Sequence, residues 1–320
     1  MVTVPVPVPA ADEVLVRNRY FMVSASIRQM VSEGAEDVPG VPFPALRPGD
    51  GLGGQALGEV LAAPAGSGVS PGDMVLHHKG WRDIAVVPVA QCQRLDAPLP
   101  EPVGYLGYLG HGRTAYAALT RGVQIRRGDT VFVAGAAGAI GSMAGQIARR
   151  LGAGRVIGST SSRDKAERLV AELGYDAAVI RGSDRPFVEQ LVEAAPTGLD
   201  IVLDNVGGEQ LQAAVTAARE GARFAIVGIL SGQLAATGTG RAAPVELDSA
   251  QILLKKLTLR GYSADDDPEA YPEWLERFGS WLQDGSIRFP HVVIDGLEHA
   301  TAALRDVAQG RYLGAVIVRP

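Results

Sequence analysis

Three regularly spaced glycines stand between an apolar run and the start of a helical pattern, and they limit the fold of this chain more than any other feature. The run is Thr130–Ala134, the glycines are Gly135, Gly138 and Gly141, and we predict a helix over Gly141–Leu151. This arrangement lets a strand turn tightly, lets backbone approach a ligand and lets the helix pack closely on the sheet. It predicts a strand–turn–helix unit that holds a dinucleotide pyrophosphate at the helix N-terminus. The alternative is a tight turn in a sheet that binds no cofactor.

Strands and helices alternate after this turn. The predicted strands are Arg155–Gly158, Ala177–Ile180, Ile201–Asp204 and Arg223–Val227. The predicted helices are Lys165–Leu173, Pro186–Ala195 and Glu209–Ala217. Buried strands that alternate with helices at this spacing predict an α/β fold with a doubly wound parallel sheet.

The regions before and after this repeat have a different character. Short β-branched runs separated by Gly and Pro predict an irregular β domain, with its clearest strands at Val14–Val16, Gly58–Leu61, Met74–Leu76 and Ile84–Val87. The pattern is helical between Pro98 and Arg121. After Leu254 we predict one amphipathic helix near Trp274–Leu282 and a strand, Ala315–Val318, that returns to the first domain. The predicted division is residues 1–118 and 255–320 for the β domain and 119–254 for the parallel sheet.

Charge and composition exclude several classes of protein. The net charge is −5 and no run of Lys or Arg occurs, which speaks against binding to nucleic acid. Cys92 is the only cysteine, so neither an intrachain disulfide nor a multi-cysteine zinc site can form. No apolar stretch reaches the roughly 18 residues of a membrane span. We therefore expect a cytoplasmic protein whose partner is a small-molecule substrate.

The end of the second predicted strand distinguishes the two nicotinamide cofactors. An enzyme that uses NAD usually has an acidic residue there to hold the ribose hydroxyls. The first acidic residue here is Asp164, which we assign with Ser161 to a capping box of the next helix. The groups that suit a 2′-phosphate are Ser162, Arg163, Lys165 and, after the third strand, Arg181. We therefore predict NADP(H); the alternative is that these are ordinary exposed cations at a helix start.

Longer matches identify a family. They are Ala136-Ala-Gly-Ala-Ile-Gly-Ser142, Gly145-Gln-Ile-Ala148, Glu172-Leu-Gly-Tyr-Asp176 and Asp204-Asn-Val-Gly-Gly-Glu209, supported by Val16-Arg-Asn18, Gly80-Trp-Arg82, Leu259-Arg-Gly261 and Tyr271-Pro272. In these segments, which are spread over nearly the whole chain, the sequence resembles the medium-chain dehydrogenase/reductase superfamily. Within it, the resemblance is to the zinc-independent prostaglandin reductases and alkenal double-bond reductases.

This resemblance implies an architecture and a set of cofactor contacts. It implies a Rossmann domain inserted into a GroES-like β domain, an active site in the cleft between them, and a homodimer. Together with the glycine pattern, it assigns the cofactor to Gly135, Gly138, Ala139, Ile140, Gly141, Asn205, Gly228, Ile229 and Ser231. Asn205 has an alternative interpretation as a turn residue at a strand end.

The position of the zinc ligands can be compared directly. Zinc-dependent relatives carry Gly-His-Glu-x-x-Gly-x-Val, in which the His binds the metal. Here the same segment is Gly53-Gly-Gln-Ala-Leu-Gly58-Glu-Val60, which has neither ligand. The five histidines do not form a ligand set with Cys92 at a familiar spacing. We therefore predict that the chain holds no metal.

Without zinc, the reaction that the resemblance implies is hydride transfer from NADPH to the β-carbon of an α,β-unsaturated carbonyl. The protein then supplies orientation, a contact to the carbonyl oxygen and a route for a proton. Tyr262 is the preferred hydrogen-bond donor and His111 a candidate for moving the proton. Each has a plainer interpretation, Tyr262 as a packing residue between the domains and His111 as a loop residue.

The substrate side departs from the resembled branch. Ser24-Ala-Ser-Ile-Arg28 stands where the branch usually has Asp-Pro-Tyr-Met-Arg, so Ser26 replaces a tyrosine. Residues 261–268 replace a segment richer in tyrosine, and Arg311-Tyr-Leu-Gly-Ala315 lacks the usual Asn and Lys. We therefore expect a specialised substrate. Two alternatives stay open: a non-redox step on the same fold, such as a cyclisation or an elimination, and a protein that binds NADPH without catalysis.

Overall fold

The first of two sheets is built from both ends of the chain. The computed structural model describes residues 2–32, 45–95, 101–234 and 242–320. The N-terminal strands are β1 Glu13–Val23, β2 Ala56–Ala62, β3 Met74–His77, β4 Ile84–Pro88 and β5 Gln93–Arg94, and a short helix, α1 Ser26–Met30, follows β1. All four strands predicted here are confirmed. β1 extends well beyond Val16: the exposed Arg17 and Arg19 alternate with the buried Val16 and Asn18, and a buried apolar run, Phe21–Val23, follows.

The helical region before the glycine turn contains more than one kind of helix. A 3₁₀ segment, Pro102–Tyr108, is followed by α2 His111–Ala117 and by a π-helical turn, Ala118–Gly122. Pro98, where we predicted this region to begin, lies outside the described residues.

The second sheet is parallel throughout, as predicted. Its strands, β6 Thr130–Val133, β7 Arg155–Thr160, β8 Ala177–Ile180, β9 Leu199–Asp204, β10 Ala218–Ile226 and β11 Thr258–Gly261, lie in the order β11-β10-β9-β6-β7-β8. The accompanying helices are α3 Ala139–Arg150, α4 Arg163–Glu172, α5 Phe187–Ala194, α6 Gly208–Ala217, α7 Leu230–Gln233 and α8 Ser249–Leu254. Every residue of β6 and β9 is buried because helices cover both faces of the sheet.

The predicted domain boundary at residue 254 needs a correction. Thr258–Gly261 pairs in parallel with β10, so β11 belongs to the parallel sheet and not to the returning segment. The sequence pattern did not predict this strand because it is short and mostly exposed at the sheet edge, and it therefore has no apolar run.

The C-terminal segment returns to the first sheet, as predicted. It contains α9 Ala270–Gln283, β12 His291–Asp295, α10 Ala300–Ala308 and β13 Ala315–Arg319. β13 pairs with β1, in the register Phe21↔Val318. The prediction of a single helix after Leu254 is wrong, since α9 and α10 both form. The buried face of α10 consists of the small residues Ala300 and Ala303, which give a weak periodic signal.

The two sheets are held together through helix α9. Trp274 and Phe278 stack with ring centroids 4.6 Å apart, and the Trp274 indole donates to the Tyr108 carbonyl at 3.2 Å. Gln146 of α3 forms two hydrogen bonds with the backbone of Arg288, at 3.1 and 2.8 Å. Helices α3 and α9 therefore connect the parallel sheet with the returning C-terminal segment. Among the described residues, no helix is long and apolar enough to cross a membrane.

Candidate cofactor and active site

The structure gives each glycine of the turn a separate role. Gly135 has φ +69°, a conformation that side chains disfavour, and Gly138 is the N-cap of α3. A Cβ on Gly141 would lie 2.5 Å from the Ala136 Cα and 2.8 Å from its carbonyl carbon. No side chain caps α3, so its first amides are free to hold a phosphate. The glycines therefore form a cradle that only small residues permit, with Ala139 and Ile140 as the first residues of the helix.

The cations predicted to read a 2′-phosphate lie at the carboxyl ends of β7 and β8. The Lys165 ammonium contacts the Ser161 hydroxyl at 3.5 Å and donates to the Gly310 carbonyl. Burial lowers the pKa of Lys165, and the nearby charge of Arg181 lowers it further. Two cations that repel one another in the absence of an anion are suited to bind one. The Arg163 side chain is exposed at the start of α4.

The predicted capping box is wrong. Ser162, rather than Ser161, is the N-cap of α4, and its hydroxyl accepts from the Lys165 amide at 3.4 Å. The Ser162 oxygen therefore serves the helix, whereas Ser161 faces the Lys165 ammonium. The shift by one residue arises because two consecutive serines precede the helix and either could cap it.

The residues assigned to the nicotinamide side come together at the ends of β9 and β10. The Asn205 amide donates to the Ala134 carbonyl at 2.8 Å, while its Oδ1 atom is buried without a partner. A Cβ on Gly228 would lie 2.7 Å from the Asn205 carbonyl oxygen. Ile229 caps α7, and the Ser231 amide donates to the Val206 carbonyl at 2.9 Å. An unpaired buried acceptor beside the glycine turn fits the amide of a nicotinamide ring.

The two candidate catalytic residues have different surroundings. The Tyr262 hydroxyl donates to Asp267 at 2.8 Å, and Arg260 stacks on its ring. Burial raises the pKa of Tyr262, and its bond to Asp267 adds to that effect, so the phenol keeps its proton. The plainer interpretation therefore has support, because donating to a substrate would require Asp267 to release this hydroxyl.

His111 is the first residue of α2 and follows Gly110, whose φ is +55°. Its Nδ1 atom is buried without a partner, and burial lowers the pKa of the ring to about 4. The ring is therefore uncharged at about pH 7, so it can donate or accept a hydrogen bond but carries no positive charge.

The segment that aligns with the zinc ligands of zinc-dependent relatives packs against other side chains in this chain. A Cβ on Gly54, at the position of the ligating His in zinc-dependent relatives, would lie 3.5 Å from the Trp81 indole. The described residues contain no group of three or more potential ligands placed to hold a metal ion. Trp81 has φ +61° and an unpaired indole nitrogen. Its sequence gives no signal for either property.

Sequence reasoning also missed three polar residues beneath the glycine turn. Ser159, Gln210 and Tyr175 are buried and hydrogen-bond to the turn or to each other. Ser159 lies in a strand and Gln210 in a helix, where polar residues are ordinarily expected to face solvent. The one signal that could have identified these residues is a polar side chain at a position where the surrounding pattern predicts a buried face.

Comparison with known proteins agrees with this architecture. The family described as zinc-binding dehydrogenase matches residues 139–280, and the family described as the N-terminal domain of oxidoreductase matches residues 1–95. NADPH-dependent curcumin reductase of Escherichia coli is 29% identical over 319 residues, which cover 98% of this chain and 89% of the reductase. Prostaglandin reductase 1 of Bos taurus is 30% identical over 324 residues, which cover 99% and 92%.

Solved structures show the same relationship. The crystal structure of CurA from Vibrio vulnificus in complex with NADPH superposes with a TM-score of 0.87 at 28% identity, over 99% of this chain and 93% of that protein. The parallel sheet and the sheet formed from both ends of the chain both lie within the region that superposes on this structure. The chain therefore belongs to the medium-chain dehydrogenase/reductase superfamily, in its zinc-independent reductase branch.

Proposed function

We propose that this chain is a zinc-independent reductase that uses NADPH to reduce the alkene of an α,β-unsaturated carbonyl. The observation that carries the proposal is the pair of neighbouring cations, Lys165 and Arg181, together with a glycine turn that leads into α3, a helix without a side-chain cap. Relatives named as NADPH-dependent curcumin reductase and NADP(+)-dependent 2-alkenal reductase support it. NADPH, when bound, supplies the hydride.

Each part of the site has a distinct task in this proposal. The free amides at the start of α3 hold the pyrophosphate, and Lys165, Arg181 and Ser161 hold the 2′-phosphate. The unpaired Oδ1 atom of Asn205 accepts a hydrogen bond from the carboxamide of the nicotinamide, which fixes the orientation of the ring.

The substrate side is polar where the branch usually has an aromatic side chain. The Ser24 and Ser26 hydroxyls lie 2.8 Å apart, and Gln29 of α1 accepts from Gln233 of α7 at 3.1 Å. Gln29 therefore lies beside the segment that follows β10, and these polar groups support a specialised substrate with polar substituents. Tyr262 is the proposed donor to the carbonyl oxygen once Asp267 releases it, and neutral His111 the proposed relay for the proton.

A panel of activated alkenes tests the proposal. We expect NADPH absorbance to fall with at least some enones, and to fall far more slowly with NADH. Tight NADPH binding without turnover of any alkene would instead indicate a non-catalytic NADPH-binding protein. Conversion of a substrate without net consumption of NADPH would indicate a non-redox step such as a cyclisation.

We also propose a homodimer formed through the edge of the parallel sheet. β11 is the edge strand, and the adjacent helix α8 exposes Leu253 and Leu254, each 75% accessible. An unpaired edge beside exposed leucines favours association with a second copy. The double variant Leu253→Asp/Leu254→Asp should be a monomer by light scattering, and an unchanged mass would rule out this surface.

A further inference from the structure

Both ends of the glycine turn are tied to buried polar side chains. The Gly135 amide donates to the Ser159 hydroxyl at 2.8 Å, and that hydroxyl donates to Gln210 at 2.5 Å. At the other end, the Tyr175 hydroxyl donates to the Gly141 carbonyl at 2.6 Å. None of these side chains belongs to the glycine motif.

Tyr175 contacts the turn from the face of β7 that is opposite to the Ser159 side chain. It follows Gly174, and its ring lies between two further glycines, Gly145 of α3 and Gly158 of β7. A Cβ on Gly158 would lie 2.7 Å from the ring, and one on Gly145 would lie 2.8 Å from the hydroxyl. The tyrosine leaves no room for a side chain at Gly145, and together with the Ala136 Cβ, 2.5 Å away, it leaves none at Gly158. The ring is 3% exposed, so its hydroxyl has no access to water as a substitute partner.

The hydrogen bond to Gly141 acts on the residues that face the pyrophosphate. The Ser142 amide donates to the Gly138 carbonyl, so the amides of residues 139–141 precede the first bond of the helix. A helix start of this kind frays unless another group holds it. Tyr175 fixes the peptide that follows Gly141, and the Ser159–Gln210 pair fixes the peptide that precedes Gly135.

We propose that Tyr175 is a positioning residue for the cofactor, which holds the first turn of α3 in its pyrophosphate-binding conformation before the cofactor arrives. The Ser159–Gln210 pair performs the same task at the opposite end of the turn. The inference rests on the proposed function only in its choice of NADP(H) as the ligand. A site ordered in advance binds more tightly because less conformational entropy is lost on binding.

The variant Tyr175→Phe removes the hydroxyl and keeps the ring. The matched control is Tyr116→Phe, since Tyr116 is also buried and donates to Glu273 at 3.0 Å, away from the turn. We expect Tyr175→Phe to weaken NADPH about fivefold, the equivalent of one hydrogen bond, and Tyr116→Phe to leave binding unchanged. Adenosine 2′-monophosphate, which has no pyrophosphate, should bind both variants and the unaltered protein equally. In turnover, the KM for NADPH should rise while kcat at saturating NADPH stays constant.

The possible outcomes separate the two proposals. If the unaltered protein does not bind NADPH, the proposed function fails and the inference fails with it. If the unaltered protein binds NADPH and Tyr175→Phe binds it equally well, only the role of Tyr175 is overturned. Equal weakening of NADPH and of adenosine 2′-monophosphate would also overturn it, because a general loss of structure would then explain the effect.

A second variant covers the case in which Tyr175→Phe does not fold. Gly145→Ala places a methyl group against the Tyr175 ring and leaves the hydroxyl in the protein. The methyl group would lie 2.3 Å from the ring carbons, so the tyrosine must shift away from Gly141, and urea unfolding of the variant separates this shift from a general loss of stability. We expect severalfold weaker NADPH binding and faster hydrogen exchange of the amides of residues 139–142. Unchanged binding and exchange would contradict the proposal.

Discussion

The proposed cofactor side and substrate side of the site are formed by different parts of the protein, backbone atoms on the first and side chains on the second. At the glycine turn, backbone atoms crowd the places where side chains would be, as the 2.5 Å approach of a Gly141 Cβ to Ala136 illustrates. On the proposed substrate side, the groups are exchangeable side chains such as Ser26, Gln29 and Tyr262. A site made of backbone cannot change without loss of the fold, whereas one made of side chains can. This difference explains how the chain keeps the cofactor motifs of its family while its substrate wall departs from them.

Gly141→Ala should have the largest effect, because it introduces a clash with backbone atoms on the cofactor side. We expect NADPH binding to weaken by about a hundredfold and the free energy of unfolding to fall by ~2 kcal/mol, as overpacking does. Calorimetric titration and urea unfolding measure the two effects. Gly138→Ala is the control for the unfolding measurement, since its Cβ would meet only the Gly135 carbonyl oxygen, at 3.3 Å. Equal losses of unfolding free energy in both variants would show that the close approach at Gly141 is not the cause.

Lys165→Ala should weaken NADPH by about thirtyfold, because it removes a charged partner of the 2′-phosphate, and should leave NADH almost unchanged. The measurement is the dissociation constant of each cofactor by fluorescence titration. Arg168→Ala is the control on the same helix, since Arg168 is exposed and pairs with Glu172. If NADPH and NADH weaken equally, the assignment of Lys165 to the 2′-phosphate is wrong.

Tyr262→Phe addresses the substrate side. If the hydroxyl moves from Asp267 to the carbonyl oxygen, its removal should lower kcat by about tenfold and leave NADPH binding intact. Tyr312→Phe is a matched control, because Tyr312 donates to Asp306 at 3.0 Å in a similar Tyr–Asp pair. An unchanged kcat in Tyr262→Phe would assign this residue to packing alone.

The smallest predicted effect is a dependence of stability on pH. Burial lowers the pKa of His111 from 6.5 to about 4, so on acidification the unfolded chain takes up a proton before the folded chain does. The stability contributed by the neutral ring is complete above about pH 6.5 and is lost as the pH falls towards 4. His111→Gln should therefore reduce the fall in the free energy of unfolding between about pH 7 and pH 5, measured by urea unfolding, by roughly 1 kcal/mol. Burial also lowers the pKa of His77 to about 4, so His77 should still contribute its own part of the pH dependence of stability in this variant.

The sequence predicted the parts of the molecule that depend on local pattern. β6 is apolar after Thr130, β9 is apolar between Asp200 and Asp204, and the glycine spacing predicts the turn between strand and helix. The features that escaped prediction depend on contacts between distant residues. β11 is specified by its pairing with β10, and α10 by alanines that pack against the first sheet.

The candidate site divides in the same way. The cofactor residues follow strands in sequence, so their approach to one another could be predicted from a parallel sheet. The bond from Tyr175 to Gly141 spans 34 residues and that from Ser159 to Gln210 spans 51, and no periodicity encodes either. The bond from Lys165 to the Gly310 carbonyl joins the two halves of the molecule and depends on how they pack.

Transfer of a labelled hydride tests the central claim most directly. The protein is incubated with NADPH that carries deuterium at C4 of the nicotinamide, together with a mixture of α,β-unsaturated carbonyl compounds, and the products are analysed by mass spectrometry and NMR. With the label on the face of the ring that reacts, we expect deuterium at the β-carbon of a saturated product. With NADPH labelled on each face in turn, recovery of the cofactor with its deuterium intact in both cases would contradict the account.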